Sequence, residues 1–165
     1  MEFSEVIKER KSTRLFGSKK VEKKLLDKIL EAGRIAPTAK NKQAFKILVV
    51  ESKEGLKKID KASPCRYGAK TVLVVLADLE NCYRRDRSDV DPSIVATHMM
   101  LEATNLGVDN IWIGMIKDDV LKSEFELGDN YDVTCLIPLG YKAALCPPSP
   151  WHNKRKEIDE LVEYR

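Results

Sequence analysis

The chain has 165 residues, of which 43% are hydrophobic and 33% are charged, and this composition is typical of one folded domain spanning residues 1–165. Its formal net charge of +3 is too small to favour a nucleic-acid partner. No apolar run approaches the roughly 20 residues that cross a bilayer, and the N-terminus lacks the apolar stretch of a signal peptide. We therefore expect a cytoplasmic protein with no membrane partner.

Hydrophobic periodicity predicts two helices at the start of the chain. Residues 4–11 form a short helix with Ser4 available as its N-cap. Residues 22–36 form a longer helix, because their apolar side chains recur at helical spacing. Pro37 ends it, since the residue before a proline favours extended geometry.

Two strands and a central helix follow. Residues 45–51 and 71–77 are β-branched apolar runs, and their continuity predicts strands buried on both faces. The helix is punctuated by Asp91 as N-cap, Pro92 in the first turn and Leu106-Gly107 as its stop. It is apolar on more than one side, which leaves open whether it is a core helix or also lies at a subunit interface.

The second half of the chain predicts three regular elements, a bend and a closing helix. These are a strand-like stretch at 110–116, a helix at 118–127, a strand at 133–141, a proline-rich bend at 146–150 and a short helix at 156–164. Four strands and five helices without strict alternation predict an α+β fold with a mixed or antiparallel central sheet flanked by helices.

Familiar catalytic and metal-binding motifs are missing. The sequence has no GxGxxG, phosphate-loop, HExxH or GxSxG pattern. Its four cysteines are isolated, and we interpret Cys135 as a core residue. His98 reads as a packed residue of the central helix, and His152 has no neighbouring metal ligand. We predict no metal site, so an enzyme of this kind would need a cofactor for its chemistry.

One basic segment can hold a phosphate group. In "ERKSTRLFG", residues 9–17, Arg10, Ser12 and Arg14 offer guanidinium and hydroxyl donors, and Arg155 could join from the far end of the chain. The alternative is an ordinary solvated charged face. The run "RRDRSDVD" lacks the spacing of a calcium loop, and we interpret it as a solvated loop.

The order of several short motifs resembles the nitroreductase family of flavoproteins, in its short FMN-dependent branch. The motifs span nearly the whole chain and are, in order, "RKSTRLF", "APTAKNKQAFKILVV", "YGAKTVLVVLAD", "DPSIVATHMMLEATNLG", "WIGM", "PLGY" and "NKRKEIDELV". This resemblance implies a nitroreductase-like fold and an intertwined homodimer with FMN at the subunit interface. It also implies ping-pong chemistry, in which NADH or NADPH gives hydride to flavin N5 and a nitroaromatic, quinone or similar acceptor then replaces the donor.

The resemblance also implies which residues bind the cofactor, while no side chain is implied as catalytic. The phosphate and ribityl chain are expected to contact Arg10, Lys11, Ser12 and Arg155. Arg14 is expected near the N1–C2=O edge of the flavin. The second subunit supplies Pro37, Thr38 and Ala39 along the ring and hydrogen bonds from Asn41 and Gln43. Ile113 and Gly114 are expected close to the ring on its own subunit's side.

Some positions depart from the family pattern. Lys40 adds a charge to the loop beside the ring, and Ala44 stands where proline is usual. The segment from Leu79 to Asp91 is short and highly charged, which suggests an exposed, permissive site. Two other hypotheses stay open, namely a flavin-binding protein with little turnover, serving in sensing, storage or cofactor processing, and a small basic protein that binds nucleic acid or an acidic partner.

Overall fold

A four-stranded antiparallel sheet in the order β1-β2-β4-β3 forms the centre of the computed structural model, which describes residues 1–147 and 149–165. The strands are β1 (Phe45–Val50), β2 (Thr71–Asp78), β3 (Asp109–Asn110) and β4 (Tyr131–Gly140). The α-helices are α1 (Phe3–Glu9), α2 (Lys23–Arg34), α3 (Lys53–Ala62), α4 (Val90–Asn105) and α5 (Asp118–Glu124). The predicted α+β class with an antiparallel sheet is confirmed.

Strand β2 is the most buried element of the sheet. It pairs with β1 from Phe45 opposite Ala77 to Val50 opposite Val72, and with β4 on its other side. Seven of its residues are buried, which confirms the expectation of burial on both faces. The same expectation is wrong for β1, where Val49 is 41% exposed. Strand β1 lies at the edge of the sheet, where the helices cover it less completely.

Helices cover the sheet from both sides. Leu73 and Val75 of β2 face the cluster formed with α2 and α4, which includes Met99. Val72 and Val74, which alternate with them, face α3 and α5 together with Ile59. Gly33 lets α2 approach α4 closely, since a Cβ at this position would lie 2.8 Å from Cγ of Met99.

The predicted strand at 110–116 is mostly absent, and Pro138 explains the interruption. Asn110 pairs with Leu139, and Ile113 pairs with Leu136 in the same register. Leu136 exchanges backbone hydrogen bonds with Ile113. Because hydrogen-bonding positions alternate along an antiparallel strand, the backbone nitrogen of Pro138, two residues further on, also points toward this segment. Proline has no N–H to donate, so the ladder cannot continue between the two pairs.

Three predicted helix details are wrong. Helix α1 is capped by Glu2 rather than Ser4, and its capping box pairs Glu2 with Glu5. Helix α4 begins at Val90 with Asp89 as N-cap, so Asp91 lies inside its first turn. In the region predicted as a helix at 156–164, only a single 3-10 turn, Ile158–Glu160, forms. The isolated terminal segment has little to pack against, and Ile158 is 72% exposed.

Other features of the helices agree with expectation or were missed. The stop of α4 at Leu106-Gly107 is confirmed, with Gly107 at φ 73°. Helix α3 was not predicted, although Ser52 caps it by accepting from the Gly55 amide. The predicted bend at 146–150 includes Pro148, which lies outside the described residues. Across the parts of the chain that are described, no helix has the length and apolarity needed to cross a membrane.

Ile59 tests the packing of α3 against the sheet. Its side chain is fully buried, and we expect Ile59→Ala to lower the free energy of unfolding by about 2–5 kcal/mol through the cavity it leaves. Lys57→Ala on the exposed side of the same helix is the control, with an expected change within about 0.5 kcal/mol. Urea unfolding at one fixed protein concentration measures both, and equal small changes would contradict this packing.

Candidate functional site

The basic segment, defined as residues 10–14, is fixed to the β3–β4 side of the sheet by backbone hydrogen bonds. The Thr13 amide donates to the Asn110 carbonyl at 3.1 Å, and the Thr13 hydroxyl donates to Asp109 at 3.2 Å. Just beyond the segment, the Phe16 amide donates to the Tyr67 carbonyl at 2.9 Å. The backbone around Thr13 is therefore held in a defined position beside β3.

Arg10 and Arg155 form a pair of like charges. Burial lowers the pKa of the Arg10 guanidinium, and the positive charge of the nearby Arg155 lowers it further. Within residues 1–147 and 149–165, neither guanidinium forms an ion pair with a carboxylate. An anion bound between them would remove the repulsion and supply the missing counter-charge.

A cleft connects the basic segment with the C-terminal region. It has a volume of about 290 Å³, and its walls carry hydroxyl, ammonium and imidazole groups. The lining residues are Lys11, Ser12, Thr13, Lys142, Cys146, Pro147, Ser149, His152 and Asn153. The structure thus brings Lys11 and Ser12 together in one polar cleft.

Arg14 lies at a second cluster, beside Tyr67. The pKa of Tyr67 is raised by its hydrogen bond to Cys65 and by burial, while the nearby Arg14 opposes this rise. The thiol of Cys65 lies 4.0 Å from the sulfur of Met115, which follows Gly114 in the chain. Arg14 and the segment 113–115 are therefore linked through Cys65 and Tyr67.

Gly114 borders open space. Among the described residues, nothing lies within 4 Å of the position that a Cβ would occupy. Its backbone is also outside the left-handed region, where the positive-φ glycines are Gly68 and Gly107. The described part of the chain therefore gives no steric reason for glycine at 114, whereas a planar ring lying against the backbone would give one.

The loop of residues 37–43, which the resemblance places beside the flavin ring and which we therefore name the ring-side loop, has an unusual backbone. Lys40, Asn41 and Gln43 have φ values of 51°, 52° and 50°, a left-handed region that non-glycine residues rarely adopt. Such conformations cost about 1–3 kcal/mol each and persist where surrounding contacts enforce them.

Two side chains hold this loop in its conformation. The carboxylate of Asp91 accepts hydrogen bonds from the Ala39 amide at 3.0 and 3.1 Å. The Thr38 hydroxyl accepts from the Gln43 amide at 3.0 Å. The interpretation of Asp91 as part of a solvated loop, and as the N-cap of α4, is therefore corrected: this carboxylate anchors the ring-side loop.

The ring-side loop and the basic segment lie at opposite ends of the sheet. The loop enters β1 at Phe45, which pairs with Ala77 near the end of β2. The basic segment bridges through Ser12 to Asn110, which pairs with Leu139 opposite Thr71 at the start of β2. At roughly 3.3 Å per residue, the six steps from Thr71 to Ala77 separate these ends by about 20 Å, and the two groups also belong to opposite edges of the sheet. Within one chain the two predicted groups are not brought together.

Two contributing residues were not identified as site residues from the sequence. The sequence predicted Asp91 only as a helix cap and as part of a solvated loop, and nothing local indicates that it reaches Ala39, 52 positions earlier. Tyr67 carries a sequence signal, since it precedes Gly68 before a buried strand, and it adopts a φ of 53°.

The cysteines and histidines form no metal centre in the part of the chain that the structure describes, where no three His, Cys, Asp or Glu side chains converge. The four cysteines are free. Cys135 is fully buried, which confirms its place in the core, and this burial raises the pKa of its thiol. His98 packs in α4 with Nδ1 3.0 Å from the Ile94 carbonyl, as expected of a packed residue.

Comparison with known proteins places the chain in a family. The model of the Nitroreductase family matches residues 7–67 and 64–141, so the chain belongs to this family. A protein of Methanothermobacter thermautotrophicus provisionally named NADH dehydrogenase/NAD(P)H nitroreductase is 31% identical over 155 residues, covering 87% of this chain and 78% of its own.

Two solved structures share the fold. A nitroreductase family protein from Clostridium difficile is 36% identical and superposes with a TM-score of 0.91 over 99% of this chain and 98% of its own. A protein of Desulfovibrio desulfuricans provisionally named a nitroreductase, solved in complex with FMN, is 22% identical with a TM-score of 0.87 over 100% of this chain and 97% of its own. The predicted family and fold are confirmed.

Asp91→Ala tests the anchoring of the ring-side loop. Loss of the charged acceptor should free the Ala39 amide, and we expect hydrogen exchange in a peptide covering residues 37–43 to accelerate about tenfold. Mass spectrometry measures the rate. Asp89→Ala is the control, because the Asp89 side chain makes no capping hydrogen bond. Equal exchange in Asp91→Ala and the parent protein would show that the carboxylate does not hold the loop.

Proposed function

We propose that this protein is an FMN-dependent oxidoreductase that takes reducing equivalents from NADH or NADPH and passes them to a small-molecule acceptor. The observation that carries this proposal is the Arg10–Arg155 pair, two like charges near each other without a carboxylate partner in the described chain. A flavin phosphate is an anion that fits such a site, because guanidinium groups bind phosphate through charge-assisted hydrogen bonds. The nitroreductase family membership and the FMN complex of the Desulfovibrio desulfuricans protein support the choice of flavin.

The remaining predicted residues fit an FMN molecule that extends from this phosphate site. Lys11 and Ser12 line the polar cleft next to the basic segment and would contact the phosphate and ribityl chain. Arg14 lies beside Tyr67 and would place a positive charge at the N1–C2=O edge of the ring. Gly114, with its open flank, and Ile113 would lie against the ring. When bound, FMN supplies the chemistry, by accepting hydride from the nicotinamide and releasing electrons to the acceptor.

The proposal includes a homodimer, because the ring-side loop lies far from the basic segment of its own chain. Pro37, Thr38, Ala39, Asn41 and Gln43 would reach the flavin bound by a second copy. A two-fold axis repeats the arrangement, so that each subunit gives its loop to the other's site. The strained loop supports this assignment, since left-handed backbone held by dedicated contacts is common where a ligand is clamped.

The acceptor is proposed only by chemical class, as a nitroaromatic, a quinone or a similar compound. The name of the Methanothermobacter thermautotrophicus relative supports a nicotinamide donor and a nitro-group acceptor. The segment following β2 contributes three arginines and exposed side chains beside the ring-side loop, as an open site would require. No side chain of the chain is assigned a covalent role.

An absorption spectrum tests the function directly. We expect the purified protein, incubated with FMN and freed of excess by gel filtration, to show flavin absorption that bleaches anaerobically when NADH or NADPH is added. Flavin that stays oxidised with both donors would overturn the oxidoreductase and favour a flavin-binding protein with little turnover. Absence of bound flavin would overturn the cofactor assignment as well.

Arg10→Ala tests the phosphate site. We expect it to weaken FMN binding by about 1.5–3 kcal/mol, which is about 10- to 150-fold in Kd, because it removes one charge-assisted contact. Quenching of flavin fluorescence during titration gives the Kd. Lys57→Ala removes a positive charge from the exposed side of α3 and should leave the Kd unchanged. A parent-like Kd for Arg10→Ala would show that this arginine does not bind the phosphate.

A further inference from the structure

A cleft of about 260 Å³ lies between the ring-side loop and the segment that follows β2. We name it the arginine cleft; its lining residues are Ala39, Cys82, Tyr83, Arg84, Arg87, Ser88, Val90 and Asp91. Ala39 belongs to the ring-side loop, so the cleft opens beside the residues that the proposed function places along the flavin. The Lys40 ammonium lies 4.5 Å from the centre of the Tyr83 ring and joins the two segments.

Of the two arginines that line the cleft, Arg84 forms an ion pair, whereas Arg87 forms none within the described residues. Arg84 is held by Asp86, through Nε at 3.0 Å and a terminal nitrogen at 2.6 Å. Arg87 forms no ion pair and no side-chain hydrogen bond within the described residues, and it adjoins the half-buried Ser88. A free guanidinium with an adjacent hydroxyl is a donor set for one terminal phosphate group.

We propose that the arginine cleft binds the 2′-phosphate of NADPH, so that the protein prefers NADPH to NADH. This inference rests on the proposed function, since it concerns the donor of the same flavin site. The half-exposed Tyr83 ring gives apolar contact for the adenosine that carries this phosphate. The volume of the cleft is below that of typical pockets for drug-sized ligands, which suits one end of a dinucleotide and leaves the nicotinamide end to reach the ring.

The arrangement favours the terminal phosphate over the pyrophosphate bridge. A 2′-phosphate is a monoester carrying close to two negative charges at neutral pH, whereas each bridge phosphate carries one. Lys40 and Arg84 add positive potential to the Arg87 guanidinium, although Asp86 partly neutralises Arg84 and the Asp91 carboxylate also lines the cleft. A donor with the extra phosphate gains most from this potential, whereas NADH presents only its bridge.

The first experiment compares the two donors in single-turnover reduction of the bound flavin. We expect the parent protein to favour NADPH in the value of kred/Kd, where kred is the limiting rate of flavin reduction. Arg87→Ala should lower the ratio of kred/Kd for NADPH to that for NADH about tenfold, because one charged contact is lost. Arg87→Lys should retain part of the preference, because it keeps the charge but not the fork. Lys57→Ala, the same remote control on α3, should leave the ratio unchanged.

The second experiment measures binding without turnover. Calorimetric titration with adenosine 2′,5′-bisphosphate should give binding to the parent protein that Arg87→Ala weakens about tenfold, while adenosine 5′-phosphate binds weakly to both. A ratio that Arg87→Ala does not change, or equal affinity for the two nucleotides, would overturn the NADPH site while flavin reduction still supports the proposed function. Failure of both donors to reduce the flavin would overturn the proposed function as well.

Discussion

The antiparallel register of β2 between β1 and β4 is the constraint on which the arrangement of the site depends. Because β2 runs opposite to both neighbours, the segment before β1 and the segment before β2 reach opposite ends of the sheet. The first of these ends carries the ring-side loop. The other carries the basic segment, whose Thr13 amide donates to the Asn110 carbonyl. Just beyond the segment, the Phe16 and Gly17 amides donate to the carbonyls of Tyr67 and Tyr141. A single chain therefore keeps the two predicted halves of a flavin site apart, and the proposed two-fold dimer would bring them together.

Helix α4 connects these ends and contributes to each. Its first turn provides Asp91, whose carboxylate holds the Ala39 amide in the ring-side loop. Near its far end, the carbonyl of Met100 and the hydroxyl of Thr104 accept from the buried Asn110 amide at 3.1 Å each. Asn110 in turn accepts from Thr13 in the basic segment. One helix, packed on the sheet through Val95, Met99 and Ala103, therefore positions both groups of predicted binding residues.

Charge is distributed to suit an anionic ligand at both places. In the basic segment, Arg10 is half-buried, is repelled by Arg155 and has no carboxylate partner in the described chain. Near the ring-side loop, Asp91 of the "RRDRSDVD" run binds a backbone amide and Asp86 binds Arg84, while Arg87 forms no ion pair within the described residues. An exposed arginine alone is weak evidence, since most surface charges only meet solvent. Arg10 differs from such surface charges because it lies beside Arg155, and Arg87 differs because it lines the arginine cleft.

Sequence patterns predicted the parts of the fold that depend on local hydrophobicity. Strand β2 and helix α4 carry long apolar runs, and both lie in the core. Helix α3 was missed because it shows few apolar residues, Leu56, Ile59 and Ala62, although their spacing and the Ser52 cap were available as signals. The closing helix was predicted from the same kind of spacing, in Ile158, Leu161 and Val162, but it lacks a surface within the chain to bury them.

Site residues were predictable only as far as a motif identified them. The resemblance pointed to the basic segment and the ring-side loop, whose roles stay predictions. It gave no indication that Asp91 holds Ala39, because that contact depends on the packing of α4 beside the loop. The loss of the strand at 110–116 likewise depends on Pro138, which lies on another strand and faces that segment. Long-range contacts of this kind cannot be derived from local patterns.

In the proposed homodimer, each flavin site combines the basic segment of one subunit with the ring-side loop of the other. Mixed dimers test this arrangement most directly. Arg10→Ala chains with one affinity tag are co-expressed with Asn41→Ala, Gln43→Ala chains carrying another, and dimers with both tags are purified. The homodimer of either variant should retain little FMN. The mixed dimer should bind about one FMN per dimer, because one of its two sites has both parts intact. A mixed dimer that binds no more FMN than the two variant homodimers would contradict the shared site.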